Sequence, residues 1–81
     1  MTARERIENA GYEKVIIFDE PSYDDALIGV TDNNQAVYDY YKMIMWLMDV
    51  EEMSMDDAID FISYNSSFYY GEDYPIIIYP V

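Results

Sequence analysis

Apolar residues along this chain change their spacing several times, and each change marks an element. From Tyr40 to Val50 the spacing is helical: Tyr40, Met43, Ile44, Leu47 and Val50 fall three or four apart and form an inward stripe, with Asp39 as N-cap. Met45, Trp46 and Met48 make the other faces apolar too. A helix of that kind is expected to be covered on more than one side, by another helix, a second copy of the chain or a partner. Ser54 and Asp57 form a variant capping box for a second helix, which Ala58, Ile59 and Ile62 carry to about Asn65. A short helix is predicted over Thr2–Ala10, with Thr2 as N-cap, Gly11 at the C′ position, and Ile7 and Ala10 facing inward.

Elsewhere the pattern is that of strands. Lys14–Asp19 is β-branched and aromatic, with a nearly continuous apolar run that predicts a strand buried on both faces. Glu20-Pro21-Ser22 ends it. Ala26–Val30 and Gln35–Tyr38 read as a hairpin around Thr31-Asp32-Asn33-Asn34, and Gly29 inside it marks a bulge or a close helix crossing. Ser66–Tyr74 is a polar and aromatic loop containing Gly71, and Pro75–Tyr79 is a last strand. Tyr74–Pro75 and Tyr79–Pro80 are the two bonds at which a cis peptide is considered. The order α-β-β-β-α-α-β predicts one α+β domain over residues 1–81. Its architecture is a small, mostly antiparallel sheet of about four strands with helices packed on one face.

Composition supports a packed core, since 52% of residues are hydrophobic and 17% aromatic. It is needed, because a domain this short buries only about 60% of its unfolded surface. Charge changes the picture more. Seventeen acids face four bases, a formal net charge of −13. Residues 1–14 are balanced, with Glu5, Glu8 and Glu13 against Arg4, Arg6 and Lys14, so residues 15–81 hold fourteen acids against Lys42 alone. Such a chain lacks the bases that nucleic acid or an anionic membrane requires, and its field attracts basic protein surfaces instead. The longest apolar run, Met43–Met48, has six residues, against ~20 for a membrane span. No signal-like stretch follows the N-terminal Met-Thr-Ala-Arg-Glu-Arg, so a cytoplasmic protein is expected.

The residue types also narrow the chemistry. With no cysteine there is neither a disulfide nor a thiolate metal site, and with no histidine the commonest general base is missing too. Catalysis is therefore not expected. No calcium loop fits, because frames beginning at Asp32 or Asp49 meet Ala36 and Met53 where oxygen ligands are required. No metal or cofactor is assigned. Two surfaces stand out as partner-binding candidates. One is the run Asp49, Glu51, Glu52, Asp56, Asp57 and Asp60, six acids in twelve residues, read either as a solvated face or as an imitation of a phosphate ladder. The other is the tyrosine-rich stretch with Tyr64, Tyr69, Tyr70, Glu72 and Asp73, whose composition suits protein contacts or the rim of a small core. Met45, Trp46 and Met48 form a candidate face for a homodimer.

Several stretches together resemble a family of small hypothetical proteins of gut Firmicutes and their phages and mobile elements. They are Gly11-Tyr12, Val15–Phe18, Tyr23–Val30, Val37–Tyr40, Lys42-Met43, Met53–Asn65 and Pro75–Tyr79. The family has no established activity, so the resemblance brings no catalytic residues; it implies a shared architecture and phage carriage. Members continue after the Asn65 position with threonine and arginine, whereas this chain has Ser66, Ser67 and Phe68, so no basic role is carried over. The expected function is a non-enzymatic acidic module that occupies the basic, nucleic-acid-binding site of another protein, as an inhibitor of a host defence protein would. The alternative is an accessory protein that self-associates and whose acidity serves solubility only.

Overall fold

The computed structural model describes residues 1–66 and 73–81. Helix α1 spans Ala3–Asn9. Its start is a full capping box: the Thr2 hydroxyl accepts from the Glu5 amide (3.2 Å), and the Glu5 carboxylate accepts from the Thr2 amide (3.0 Å). These bonds hold the Glu5 carboxyl below its ordinary value. At the other end Gly11 takes φ +91°, the Tyr12 amide donates to Ile7 (3.1 Å) and the Gly11 amide to Glu8 (3.0 Å). That is a Schellman motif, in which the left-handed position falls to glycine because any other side chain would be strained there. The helix buries Ala3 and Ile7; Ala10, expected inside, is the exposed C-cap residue, one step past the last helical turn.

Residues 14–19 form no strand, contrary to their composition. Lys14 enters with φ +60°, and burial then falls on Val15 and Phe18, three apart, leaving Ile16 37% exposed. Side chains take up backbone groups that a ladder would have used. The Arg4 guanidinium donates to the Val15 carbonyl (3.2 Å), and the Phe18 amide donates to the Tyr38 hydroxyl (3.2 Å). The segment turns through a cis peptide at Glu20–Pro21 rather than at either tyrosine–proline bond, and Tyr23 takes φ +49°. A single 3-10 turn, Asp24–Ala26, follows. The Asp24 carboxylate accepts from the Ala3 amide (2.8 Å) and its carbonyl from the Arg6 guanidinium (2.9 Å), which ties this turn to α1.

Strands β1 (Leu27–Val30) and β2 (Ala36–Asp39) form the expected antiparallel hairpin. The Asn34 amide donates to the Thr31 carbonyl (3.0 Å), and Asn34 itself takes φ +62°, which asparagine tolerates. Between Leu27 and Gly29 the register slips, so Gly29 marks a bulge that leaves Ile28 exposed. It is not a helix crossing, since a Cβ built on Gly29 meets nothing within 4 Å. Strand β3 (Ile76–Ile78) pairs with β2 in parallel, giving the order β1-β2-β3. The sheet is thus mixed and three-stranded rather than four-stranded and mostly antiparallel. Two helices intervene between β2 and β3, and a crossover of that length is what a parallel pair requires.

β2 runs directly into helix α2 (Tyr40–Val50), with Asp39 as last strand residue and N-cap, its carboxylate accepting from the Lys42 amide (3.1 Å). Helix α3 (Met55–Ser66) packs against α2. The core draws on every helix: Ala3 and Ile7 from α1, Met43, Ile44 and Leu47 from α2, Ala58 and Ile62 from α3. Ala36 and Tyr38 project into it from β2, and their neighbours Val37 and Asp39 are only half-buried, so one face of the sheet carries the core. Tyr38 is fully buried, and burial pushes its phenol up to about 12. From Tyr38 an aromatic row runs outward: Phe18 at 4.7 Å, then Tyr23 at 5.6 Å, then Trp46 at 5.6 Å between ring centroids.

Candidate partner-binding surface

Acids crowd the junction between α2 and α3. Asp49 lies in the last turn of α2, and Glu51 is its C-cap, with its amide donating to the Leu47 carbonyl (3.1 Å). Glu52 takes φ +57°, a conformation that favours glycine, and the Met53 amide returns to the same carbonyl (3.3 Å). Two residues later Ser54 caps α3, its hydroxyl accepting from the Asp57 amide (3.2 Å). The reversal between the helices therefore carries Glu51 and Glu52, with Asp49 on one side and Asp56 and Asp57 on the other.

All six acids of the cluster are exposed. On α3, Ala58 and Ile62 face the core, while Asp56, Asp60 and Tyr64 occupy successive turns of the outer face, with Cβ atoms about 5–6 Å apart from one turn to the next. Tyr64 is 71% exposed, so this row of two carboxylates ends on an accessible aromatic ring. The acidic cluster and the first of the tyrosines thus belong to one surface. Asp73 is also exposed; Tyr69, Tyr70 and Glu72 lie outside the described residues.

Helix electrostatics separate these acids into two groups. Asp56 and Asp57 occupy the first turn of α3, where the positive end of the helix dipole stabilises them by roughly 0.3–1 kcal/mol each. Asp49, Glu51 and Glu52 sit at the C-terminal end of α2, where the same effect is unfavourable, and no base occupies that last turn. Of the chain's four bases, Arg4 and Arg6 donate to backbone carbonyls of residues 15 and 24, and Lys42 borders a hollow that Asp49 also lines.

The proposed oligomer face is divided. Met45 is 60% exposed and Met48 36%, but Trp46 is half-buried against Tyr23 and closes the outer edge of the core. Val50, expected inside, is 55% exposed because α2 ends there and the chain turns away from the core. Two acids that the linear sequence did not single out join the surface. Glu20 shares a shallow hollow with Glu51, and Asp25 shares another with Asp49. Glu20 follows directly on the irregular segment 14–19 and Asp25 lies in the 3-10 turn Asp24–Ala26, and no local signal marks either as part of this surface.

Among the described residues no three carboxylates are grouped so as to hold a metal ion, and no helix is long and apolar enough to cross a membrane. Comparison with protein-family models, curated proteins and solved structures returned no match.

Proposed function

We propose that this protein is a non-catalytic interaction module whose acidic α2–α3 end occupies a basic, nucleic-acid-binding site on another protein. The observation that carries this reading is the position of Asp49, Glu51 and Glu52. Solubility would be served by carboxylates anywhere, and the fold would favour bases at the end of α2. Three acids there, one of them in a left-handed conformation, run against the helix dipole. Residues that weaken a fold are retained where function needs them. Tyr64 adds a large accessible contact to the same side of α3, of a type enriched in protein interfaces. A nuclease or restriction enzyme of a defence system offers a basic site of the right kind, and carriage by a phage or mobile element would give such an inhibitor its setting.

The reading predicts effects of opposite sign from one variant. Asp49→Lys/Glu51→Lys should raise the stability of the isolated domain by roughly 0.5–2 kcal/mol in denaturant unfolding, through the dipole and reduced repulsion. The same variant should lose partner capture. If it gains stability and still binds, the end of α2 is not part of the contact surface.

A second reading rests on Tyr41, Met45 and Met48, an apolar row on the outer face of α2 of which Tyr41 is 53% exposed. Self-association through this row would bring together two chains of formal charge −13, which repel at low salt. Sedimentation measures the choice. The monomer expected under the main reading is unchanged by Met45→Glu, whereas a dimer that Met45→Glu dissociates would favour self-association.

A further inference from the structure

Beside the acidic junction, α2 and the Asp24–Ala26 turn border an open hollow of about 260 Å³, lined by Asp25, Lys42, Met45, Trp46, Asp49 and Val50. Five of the six are neighbours on α2 at spacings of three and four, and Asp25 flanks the hollow from the packed turn. Its volume is below the ~300–1,000 Å³ of sites for whole small molecules, and suits one side chain. We infer that this hollow is a receptor for an arginine side chain of the partner, with the guanidinium on Trp46 between the Asp25 and Asp49 carboxylates. The inference rests on the proposed function and supplies the specific contact of that surface.

Charge complementarity selects this occupant. Two acids and Lys42 give the lining a net charge of −1, and Asp49 lies in the last turn of α2, where the helix dipole also favours a cation. A divalent metal is a poor match, because a hard cation takes about six or more oxygen ligands and would find two carboxylates and a largely apolar wall. A planar guanidinium uses what is present. It stacks on an indole ring, donates to carboxylates in two directions, and lays its methylene stem along Met45 and Val50. Trp46 is already positioned for this, since its ring packs on Tyr23, which packs on Phe18 and through it on the buried Tyr38. The indole itself has little freedom left to lose on binding.

Trp46 is the one tryptophan of the chain, so its emission reads this site directly. The test is a titration of the whole protein with N-acetyl-arginine amide, with the lysine and citrulline amides at matched ionic strength. The expected result is a saturable change with arginine, a weaker response to lysine, and none with citrulline. Asp25→Asn/Asp49→Asn, at two exposed positions, should weaken arginine binding about tenfold or more while the circular dichroism spectrum stays unchanged. An equal response to citrulline, the absence of saturation, or undiminished binding by the double variant would overturn the inference. The parent reading fails separately. Salt-sensitive partner capture without an arginine response removes this site alone, whereas an arginine response with no partner captured at any salt leaves the site and removes the proposed function.

Discussion

Tyr38→Ala is expected to leave the chain unfolded at room temperature. A domain of this length has a total stability of roughly 4–12 kcal/mol. Truncating a buried aromatic side chain costs ~3–5 kcal/mol, and the Phe18 amide, which donates to the Tyr38 hydroxyl, would be stranded at a further ~1–3 kcal/mol. The loss is of the size of the whole. Circular dichroism at neutral pH checks it. Tyr38→Phe keeps the ring stacked on Phe18 and should fold, with only the hydrogen-bond part of the cost. That variant also isolates a pH effect. The Tyr38 phenol is raised to about 12 in the folded state, against about 10 in an unfolded chain. Its contribution is complete below pH ~10 and is lost as pH rises towards ~12, on the order of 2–3 kcal/mol. Other tyrosines ionise in the same range, so the comparison is with Tyr38→Phe, which should lose less stability across that window. Equal losses would mean that Tyr38 is not the group that titrates.

Asp56→Lys/Asp57→Lys/Asp60→Lys should abolish partner capture while leaving a folded domain. All three side chains are exposed, so the core is untouched. Bases in the first turn of α3 reverse a favourable interaction, and a loss of roughly 1–2 kcal/mol is expected in urea unfolding. The formal net charge moves from −13 to −7, two units per replacement, so the domain remains acidic. The comparison with Asp49→Lys/Glu51→Lys is informative because the two variants change stability in opposite directions and binding in the same one. A common loss of binding would then not be a by-product of unfolding.

The helices were legible because their signals are local. Thr2 with Glu5, Asp39 with Lys42 and Ser54 with Asp57 are caps whose partners lie three residues apart, and each is present. The hairpin and its bulge followed in the same way from Asn34 and Gly29. Lys14–Asp19 forms no strand despite its composition, because β-propensity describes what fits a half-buried surface, not which backbone partner exists. Arg4 and Tyr38, eleven and twenty residues away, claim its polar groups, and no nearby pattern announces that. The direction of β3 is equally remote information. For the surface, the acids of α2 and α3 could be found by counting, but Asp25 and Glu20 reach it only through the path of the irregular segment. The helical stripe that groups Trp46 with Met45 and Met48 does not reveal Tyr23 packed against its ring.

The most direct test of the central claim, that the acidic end of the helix pair takes a basic partner, is one capture experiment. Tagged protein and Asp56→Lys/Asp57→Lys/Asp60→Lys would be passed through nuclease-treated lysate and washed at ~50 mM and ~300 mM salt, a change that shortens the Debye length from above ~10 Å to well below it. A nucleic-acid-processing protein held by the wild type at low salt, released at high salt and never held by the variant is the predicted result. The same protein retained by both forms at both salts, or nothing retained by either, would contradict it.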